Sequence, residues 1–354
     1  MNEVRFLQKI GGSLLMLLLL AACSQDENLT TGTLLPEGKY PLELTAGGLE
    51  VVATPVEAST RATYNGTWNG GEKVYVQIAS SKDYTDENSI PWQSIDPIQY
   101  TVAQDGEMTL VDAGNQRYWQ STDEKFYVRA WYPGTRTDYE DIPWYGGSWA
   151  VHENQSSKDA LAQDDFLYAY KVLEYNPSSA NSLEFRHLLS KLVFNLKSSD
   201  YLKGFSKDEI SVILMTKTDR TKWNISGIFK DGQYDQQQKD FALDSNVVGT
   251  SNGITPYRLD SPNNISSNEV AYLSYEALCI PQPISHFEKN IVIKVGESTY
   301  IWEIQLDGYD LLYSGYKYTF NITVDAKKLN VTVDSNNINW GNTGNTGQGS
   351  VEIQ

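Results

Sequence analysis

The chain has 354 residues, enough for two ordinary domains and a sizeable core. Its net charge of −17 excludes nucleic acid and argues against an anionic membrane surface. With two cysteines, three histidines and no Cys/His clustering, a disulfide framework and a transition-metal site lack building blocks, and no cofactor is expected.

In chain order, Arg5 and Lys9 precede the apolar block Leu14–Ala22, which ends in Leu20-Ala21-Ala22-Cys23. A basic start, a short apolar run and a small-residue cleavage site make an export signal over residues 1–22, too short to span a bilayer comfortably. A cysteine directly after Leu-Ala-Ala resembles a bacterial lipobox, which implies a lipidated Cys23. Ser24-Gln25-Asp26-Glu27 is either a solvated tether or, by resemblance, an acidic tetrapeptide that directs lipoproteins to the outer face of the outer membrane. Residues 23–61 form a segment of their own, whose only basic residue before Arg61 is Lys39. Arg61, within Ala58-Ser59-Thr60-Arg61-Ala62, offers a trypsin-like protease one good site.

The residues point to an all-β protein, since Tyr and Trp number 23 and 9 and helical periodicity is scarce. Leu42 and Leu44 alternate, and Leu49, Val51 and Ala53 follow Gly47-Gly48, which predicts two short strands joined by a turn upstream of Arg61. A period-two strand follows at Val74–Ile78, then a hairpin in which Asp105-Gly106 joins Ile98–Val102 to Met108–Leu110, then a strand at Phe126–Trp131. The loop with Trp144, Tyr145 and Trp149 either folds over the core or stacks on sugar rings. The only candidate helix lies around Ser157–Tyr170. Asn176-Pro177-Ser178-Ser179 reads as a linker, dividing the chain into 62–178 and 179–354.

The second half repeats the pattern. Leu192, Phe194 and Leu196 mark one strand, and Ile291–Val295 with Tyr300–Leu306 form a hairpin. Tyr316–Asp325 alternates cleanly, so one face is buried. Leu329, Val331 and Val333 follow in register, then Ile338 and Trp340 and a Gly/Asn/Thr tract expected to be flexible.

No catalytic constellation emerges. Gly249-Thr250-Ser251-Asn252-Gly253 matches a nucleophile elbow literally but lacks the strand before it and the helix after it. The acid pairs Glu140-Asp141 and Asp164-Asp165 read as solvated surface charge, His187 as a half-buried hydrogen-bonded ring beside a strand, His152 and His286 as loop residues, and Cys279 as a small buried residue.

Thr67-Trp68-Asn69-Gly70-Gly71-Glu72, Tyr118-Trp119-Gln120-Ser121, Ala130-Trp131-Tyr132-Pro133, Phe185-Arg186-His187-Leu188, Tyr275–Gln282 and Tyr318–Val324, in this order and together with Cys23 and Arg61, resemble a Bacteroidales fimbrillin family protein over nearly the whole length. The resemblance implies two transthyretin-like β-sandwich domains in tandem and no enzymatic activity. It also implies a lipid-anchored precursor at the outer membrane, cut by an arginine-specific protease after Arg61 to leave Ala62 as the new N-terminus. Leu42, Leu44, Leu49 and Val51 then mark a displaced strand, whose groove accepts a strand from the next subunit in a head-to-tail fimbria. Such exchange is heterologous and does not close, so it generates a fibre. Leu329, Val331, Val333, Ile338 and Trp340 either donate that strand or stay in their own sheet. A surface lipoprotein binding a glycan or host receptor through Trp144, Tyr145 and Trp149 is the alternative.

Overall fold

The computed structural model describes residues 32–47, 63, 66–136, 147–177, 181–216, 223–230, 242–244, 253–284, 289–304, 311–326, 328–336 and 351–352. Cys23, Leu49, Val51, Arg61, Ala62, Trp144, Tyr145, His286, Ile338 and Trp340, with the signal, the acidic tetrapeptide, Glu140-Asp141 and residues 249–252, lie outside them.

The fold is all-β, two transthyretin-like sandwiches in tandem. The first half contributes β1 (Leu44–Gly47), β2 (Glu72–Ser80), β3 (Ile98–Val102), β4 (Met108–Leu110), β5 (Lys125–Tyr132), β6 (Ser148–Ala150), helix α1 (Lys158–Asp164), β7 (Leu167–Glu174), β8 (Asn181–Glu184) and β9 (Arg186–His187). One sheet has the order β4-β3-β2-β5-β7-β9. Because side chains alternate along a strand, Val74, Val76 and Ile78 of β2 share an inner face with Ile98, Tyr100 and Val102 of β3 and with Phe126, Val128, Ala130 and Tyr132 of β5. The layer facing them is thin. It consists of the two-stranded parallel sheet β1-β8, the residues just before β1, and the side chains of Trp68, Trp119 and Phe185.

The second half contributes β10 (Ser190–Lys197), helix α2 (Asp200–Lys203), β11 (Ile210–Thr216), β12 (Ser226–Lys230), β13 (Ala242–Asp244), β14 (Gly253–Ile254), β15 (Tyr257–Arg258), β16 (Asn264–Ser266), β17 (Glu269–Cys279), β18 (Gln282–Pro283), β19 (Lys289–Val295), β20 (Ser298–Glu303), β21 (Leu311–Leu312), β22 (Lys317–Asp325), β23 (Lys328–Asn336) and β24 (Val351–Glu352). Here both layers are full. A seven-stranded sheet runs β15-β17-β10-β22-β23-β24 with β16 beside β17, and a four-stranded sheet runs β14-β11-β19-β20. Phe194, Tyr275, Tyr318 and Phe320 of the first pack on Val212, Ile291, Ile293 and Trp302 of the second. Cys279 is fully buried in this core, where burial pushes its thiol pKa well up.

Two expectations change. The candidate helix ends at Asp164, and the remainder of Ser157–Tyr170 opens strand β7, because Leu167, Tyr168 and Ala169 are all buried between β5 and β9. The expected division after residue 178 falls too early. Strand β8 pairs with β1 and β9 with β7, so residues 181–187 complete the first sandwich and the second begins at Ser190.

The sandwiches share a joint. An arm of the first half, β6, pairs with β12 in the three-stranded sheet β13-β12-β6, and Gln155 is entirely buried against β17. Its side-chain Oε1 accepts from Leu278 N at 2.8 Å and its Nε2 donates to Leu278 O at 2.7 Å. Trp131, Trp149, Leu161, Phe166, Leu188, Phe229 and Leu278 fill the space between the halves.

Candidate functional site

The feature that distinguishes the first sandwich is the ribbon of residues 33–47 threaded through its thin layer. On one side Leu35 N donates to Gln120 O at 2.9 Å, Leu42 N to Arg117 O at 2.8 Å and Ala46 N to Gly106 O at 2.7 Å, while Trp119 N donates to Tyr40 O at 2.9 Å. On the other side Asn181 N donates to Glu43 O at 3.2 Å and Phe185 N to Gly47 O at 2.9 Å, extending the parallel β1-β8 register. From Glu43 to Gly47 the ribbon is thus a central strand of its layer, paired on both edges, and between Leu34 and Leu42 it is held along one edge.

Its side chains follow suit. Leu42 and Leu44 are each 2% exposed, and Leu35 and Ala46 are buried beside them against the six-stranded sheet. Between them Pro36–Lys39 makes an exposed turn, with Gly38 at φ +70° supplying the left-handed residue. Gly106 explains the Asp-Gly pair in a second way: besides its φ of +90°, a Cβ there would sit 2.5 Å from Ala46 O, so only glycine lets the hairpin abut the ribbon. Alternation in the sequence marks Leu42 and Leu44 but not Leu35, nor does it show that Trp119 and Phe185, from distant stretches, pack in the same core. The Leu34-Leu35 pair close to Leu42 is the one local signal that could have lengthened the strand.

At the other end of the chain β23 pairs with β22 from Lys317↔Asn336 to Asp325↔Lys328. Leu329 and Val331 are each 1% exposed in their own core, Val333 holds register with Phe320, and Val351 and Glu352 of β24 cover the outer edge of β23 at Val331 and Asn330. In this structure Leu329, Val331 and Val333 are thus paired within their own sheet.

The aromatic and acidic candidates are interior. Trp149 is 2% exposed, its Nε1 donates to Asp164 O at 2.9 Å, and the Arg136 guanidinium lies over its ring at 4.1 Å. This corrects the expectation of a sugar platform for Trp149, since its ring is enclosed by the joint. Asp164 and Asp165 are fully buried, not solvated. Asp164 Oδ1 accepts from Arg136 Nη2 at 2.9 Å and lies 2.6 Å from His152 Nδ1, and Oδ2 accepts from His152 N at 2.8 Å. Burial raises the Asp164 pKa, opposed by these donors. His187, expected half-buried, is fully buried with Nδ1 2.8 Å from Asp165 Oδ1. Among the described residues no group of His, Cys, Asp and Glu is arranged to hold a metal ion.

Fold and seam together define a tandem β-sandwich protein whose first core incorporates an N-terminal segment as an internal strand. The chain belongs to the fimbrillin-like family, whose model matches residues 60–340, so the ribbon lies just upstream of the matched region. Membership makes it a pilus-related protein of the cell surface. Among solved structures it is similar to a candidate cell adhesion protein from Bacteroides uniformis, with a TM-score of 0.54 and 17% identity over 85% of this chain and 98% of that one. A candidate cell adhesion protein from Bacteroides ovatus gives a TM-score of 0.53 and 17% identity over 84% and 96%. Both are likenesses of fold. No curated protein matches the sequence.

Proposed function

We propose that this protein is a structural or accessory subunit of a cell-surface pilus with an adhesive role, exported as an outer-membrane lipoprotein on Cys23, cut after Arg61 and assembled by strand exchange with other pilin subunits. The observation that carries the reading is the ribbon: residues 33–47 are built into the first sandwich, hydrogen-bonded on both edges from Glu43 to Gly47, yet lie upstream of Arg61. A cut there severs an internal strand from the protein it completes. Loss of that strand uncovers an apolar groove and unpaired backbone on both sides, and a strand of matching alternation from the next subunit restores both.

Because β23 is bonded along β22 and its Leu329 and Val331 fill their own core, the incoming strand comes from the tract beyond it, with Ile338 and Trp340 as its apolar residues. Leu49 and Val51, beyond β1, leave with the displaced segment. An arginine-specific protease is the required processing partner.

The test is the surface form of the protein. Material sheared from cells should begin at Ala62 on N-terminal sequencing and run as a detergent-resistant ladder, and Arg61→Ala should leave a monomeric lipid-linked chain. A wild-type surface protein that retains Cys23 and its lipid with no ladder would overturn the reading.

A further inference from the structure

Where the Pro36–Lys39 turn of the ribbon meets the end of β2 and the start of β5, the first sandwich opens into a cleft of about 720 Å³. Sites for small organic ligands span about 300–1,000 Å³. The cleft is backed by buried apolar side chains, Leu35, Ile78, Trp119 and Phe126. Two rings keep surface open to it, since Tyr84 is half-buried and Tyr118 is 38% exposed.

Its polar lining is of mixed kind. The carboxylates of Glu37 and Asp83 and the guanidinium of Arg117 are exposed, and none of the three forms an ion pair among the described residues. Gln116 Nε2 donates to Leu42 O at 3.2 Å and to Arg117 O at 2.8 Å, which leaves its Oε1 to accept. Gln120 Oε1 accepts from Lys82 Nζ at 3.2 Å, which leaves its amide nitrogen to donate. Glu124, 3% exposed, fixes the wall: its Oε1 accepts from Ser80 Oγ at 2.6 Å and its Oε2 from Gln120 N at 2.7 Å.

We infer that this cleft binds a neutral saccharide. A sugar hydroxyl donates to a carboxylate and accepts from a guanidinium or an amide, while the C–H face of the ring lies on apolar and aromatic surface, and the cleft supplies all of these together. Charge narrows the class. Glu37, Asp83 and Glu124 outnumber Arg117 and Lys82, which disfavours an anionic ligand, and the Arg117 guanidinium disfavours a cationic one. Because Leu35, Glu37 and Gly38 belong to the ribbon, one wall of the cleft leaves when the ribbon is displaced. Binding and retention of the ribbon are therefore linked, so a bound saccharide stabilises the form that keeps it. The inference rests on the adhesive role proposed above and gives it a ligand class.

To test this, uncut full-length protein is applied to an array of neutral oligosaccharides, with sialylated oligosaccharides and a tetralysine peptide as charged controls. At least one neutral saccharide should bind. Arg117→Ala, Asp83→Asn and Glu37→Gln, all at exposed positions, should each weaken that binding about tenfold, the expected loss for one hydrogen bond to a charged group. Ile301→Ala, at an exposed site on the second sandwich, should leave it unchanged. Protein cut after Arg61 and stripped of the ribbon should not bind, and a synthetic peptide of residues 32–47 should restore binding. An array without a neutral ligand, binding that all three variants leave intact, or preference for the charged controls overturns the inference, and equal binding by the stripped protein overturns the ribbon's part in it. A detergent-resistant ladder without saccharide binding removes this inference and leaves the pilus reading, whereas saccharide binding without a ladder removes strand exchange and leaves the cleft.

Discussion

The two sandwiches solve the same packing problem with different security. In the second, Phe194, Tyr318 and Phe320 are enclosed between a seven-stranded and a four-stranded sheet, all drawn from residues after Ser190. In the first, a six-stranded sheet faces a two-stranded one, and the gap is closed by Leu35, Leu42, Leu44 and Ala46 from a segment ahead of Arg61. The difference teaches where stability is conditional: one core depends on a ribbon that a single cut could detach, and the other does not.

The largest effect should come from taking the ribbon away. Fully burying a leucine contributes about 1.5–3 kcal/mol, so losing Leu35, Leu42 and Leu44 together should cost the first sandwich on the order of 5 kcal/mol or more. Calorimetry of protein cut after Arg61 and stripped of its N-terminal segment should show the first sandwich melting early while the second keeps its midpoint. A synthetic peptide of residues 32–47 should restore it. A common midpoint shift in both sandwiches would blur the contrast.

A point substitution sharpens the same comparison. Leu44→Ala should destabilise the uncut chain by about 2–5 kcal/mol, the range for truncating a buried leucine, and have no effect on the stripped, cut form. Ile293→Ala in the second core should destabilise both forms equally. Denaturant unfolding of the four samples checks it.

Between the halves, Gln155→Ala should cost about 1–3 kcal/mol, because it strands the buried amide and carbonyl of Leu278. Its signature is loss of coupling, read as one thermal transition dividing into two. A variant that keeps a single sharp transition would show that the β6-β12 pairing holds the joint without it.

What the sequence disclosed follows from range. The β3-β4 hairpin, the β19-β20 hairpin and β22 were legible because alternation and an Asp-Gly or Gly-Glu turn are local signals. The parallel pairings β1-β8 and β10-β22 were not, since Leu44 meets Asn181 and Lys191 meets Lys317 across stretches that no periodicity spans. The same holds for the acids. Asp164 and Asp165 sit at the end of a short helix, and what buries them is Arg136, His152 and His187, brought in by other elements. At the seam, Leu42 and Leu44 declared themselves by alternation, but that their ribbon is central and not an edge depended on Gly106, Arg117 and Asn181.

The smallest effect is one of pH, and it belongs to the second sandwich. Lys289 is 3% exposed, with its ammonium over the Trp223 ring at 4.8 Å, and burial pushes its pKa down to about 8. Above that pH the folded chain has shed a proton that the unfolded chain keeps, so stability rises with pH, by at most about 1.4 kcal/mol per unit. Cys279 opposes it. Burial raises the thiol pKa, so once the unfolded thiol ionises near pH 8.5 the folded state holds the extra proton and stability is lost as pH rises. Near pH 10 buried Tyr275, pushed up to about 12, adds to the loss. The second sandwich should therefore gain slightly from pH 8 and then level off. Lys289→Met should abolish the gain, and Cys279→Ala should let it continue toward pH 10. Calorimetric midpoints across this window check the sign, and a wild-type midpoint that falls from pH 8 to 8.5 would remove Lys289 as its cause.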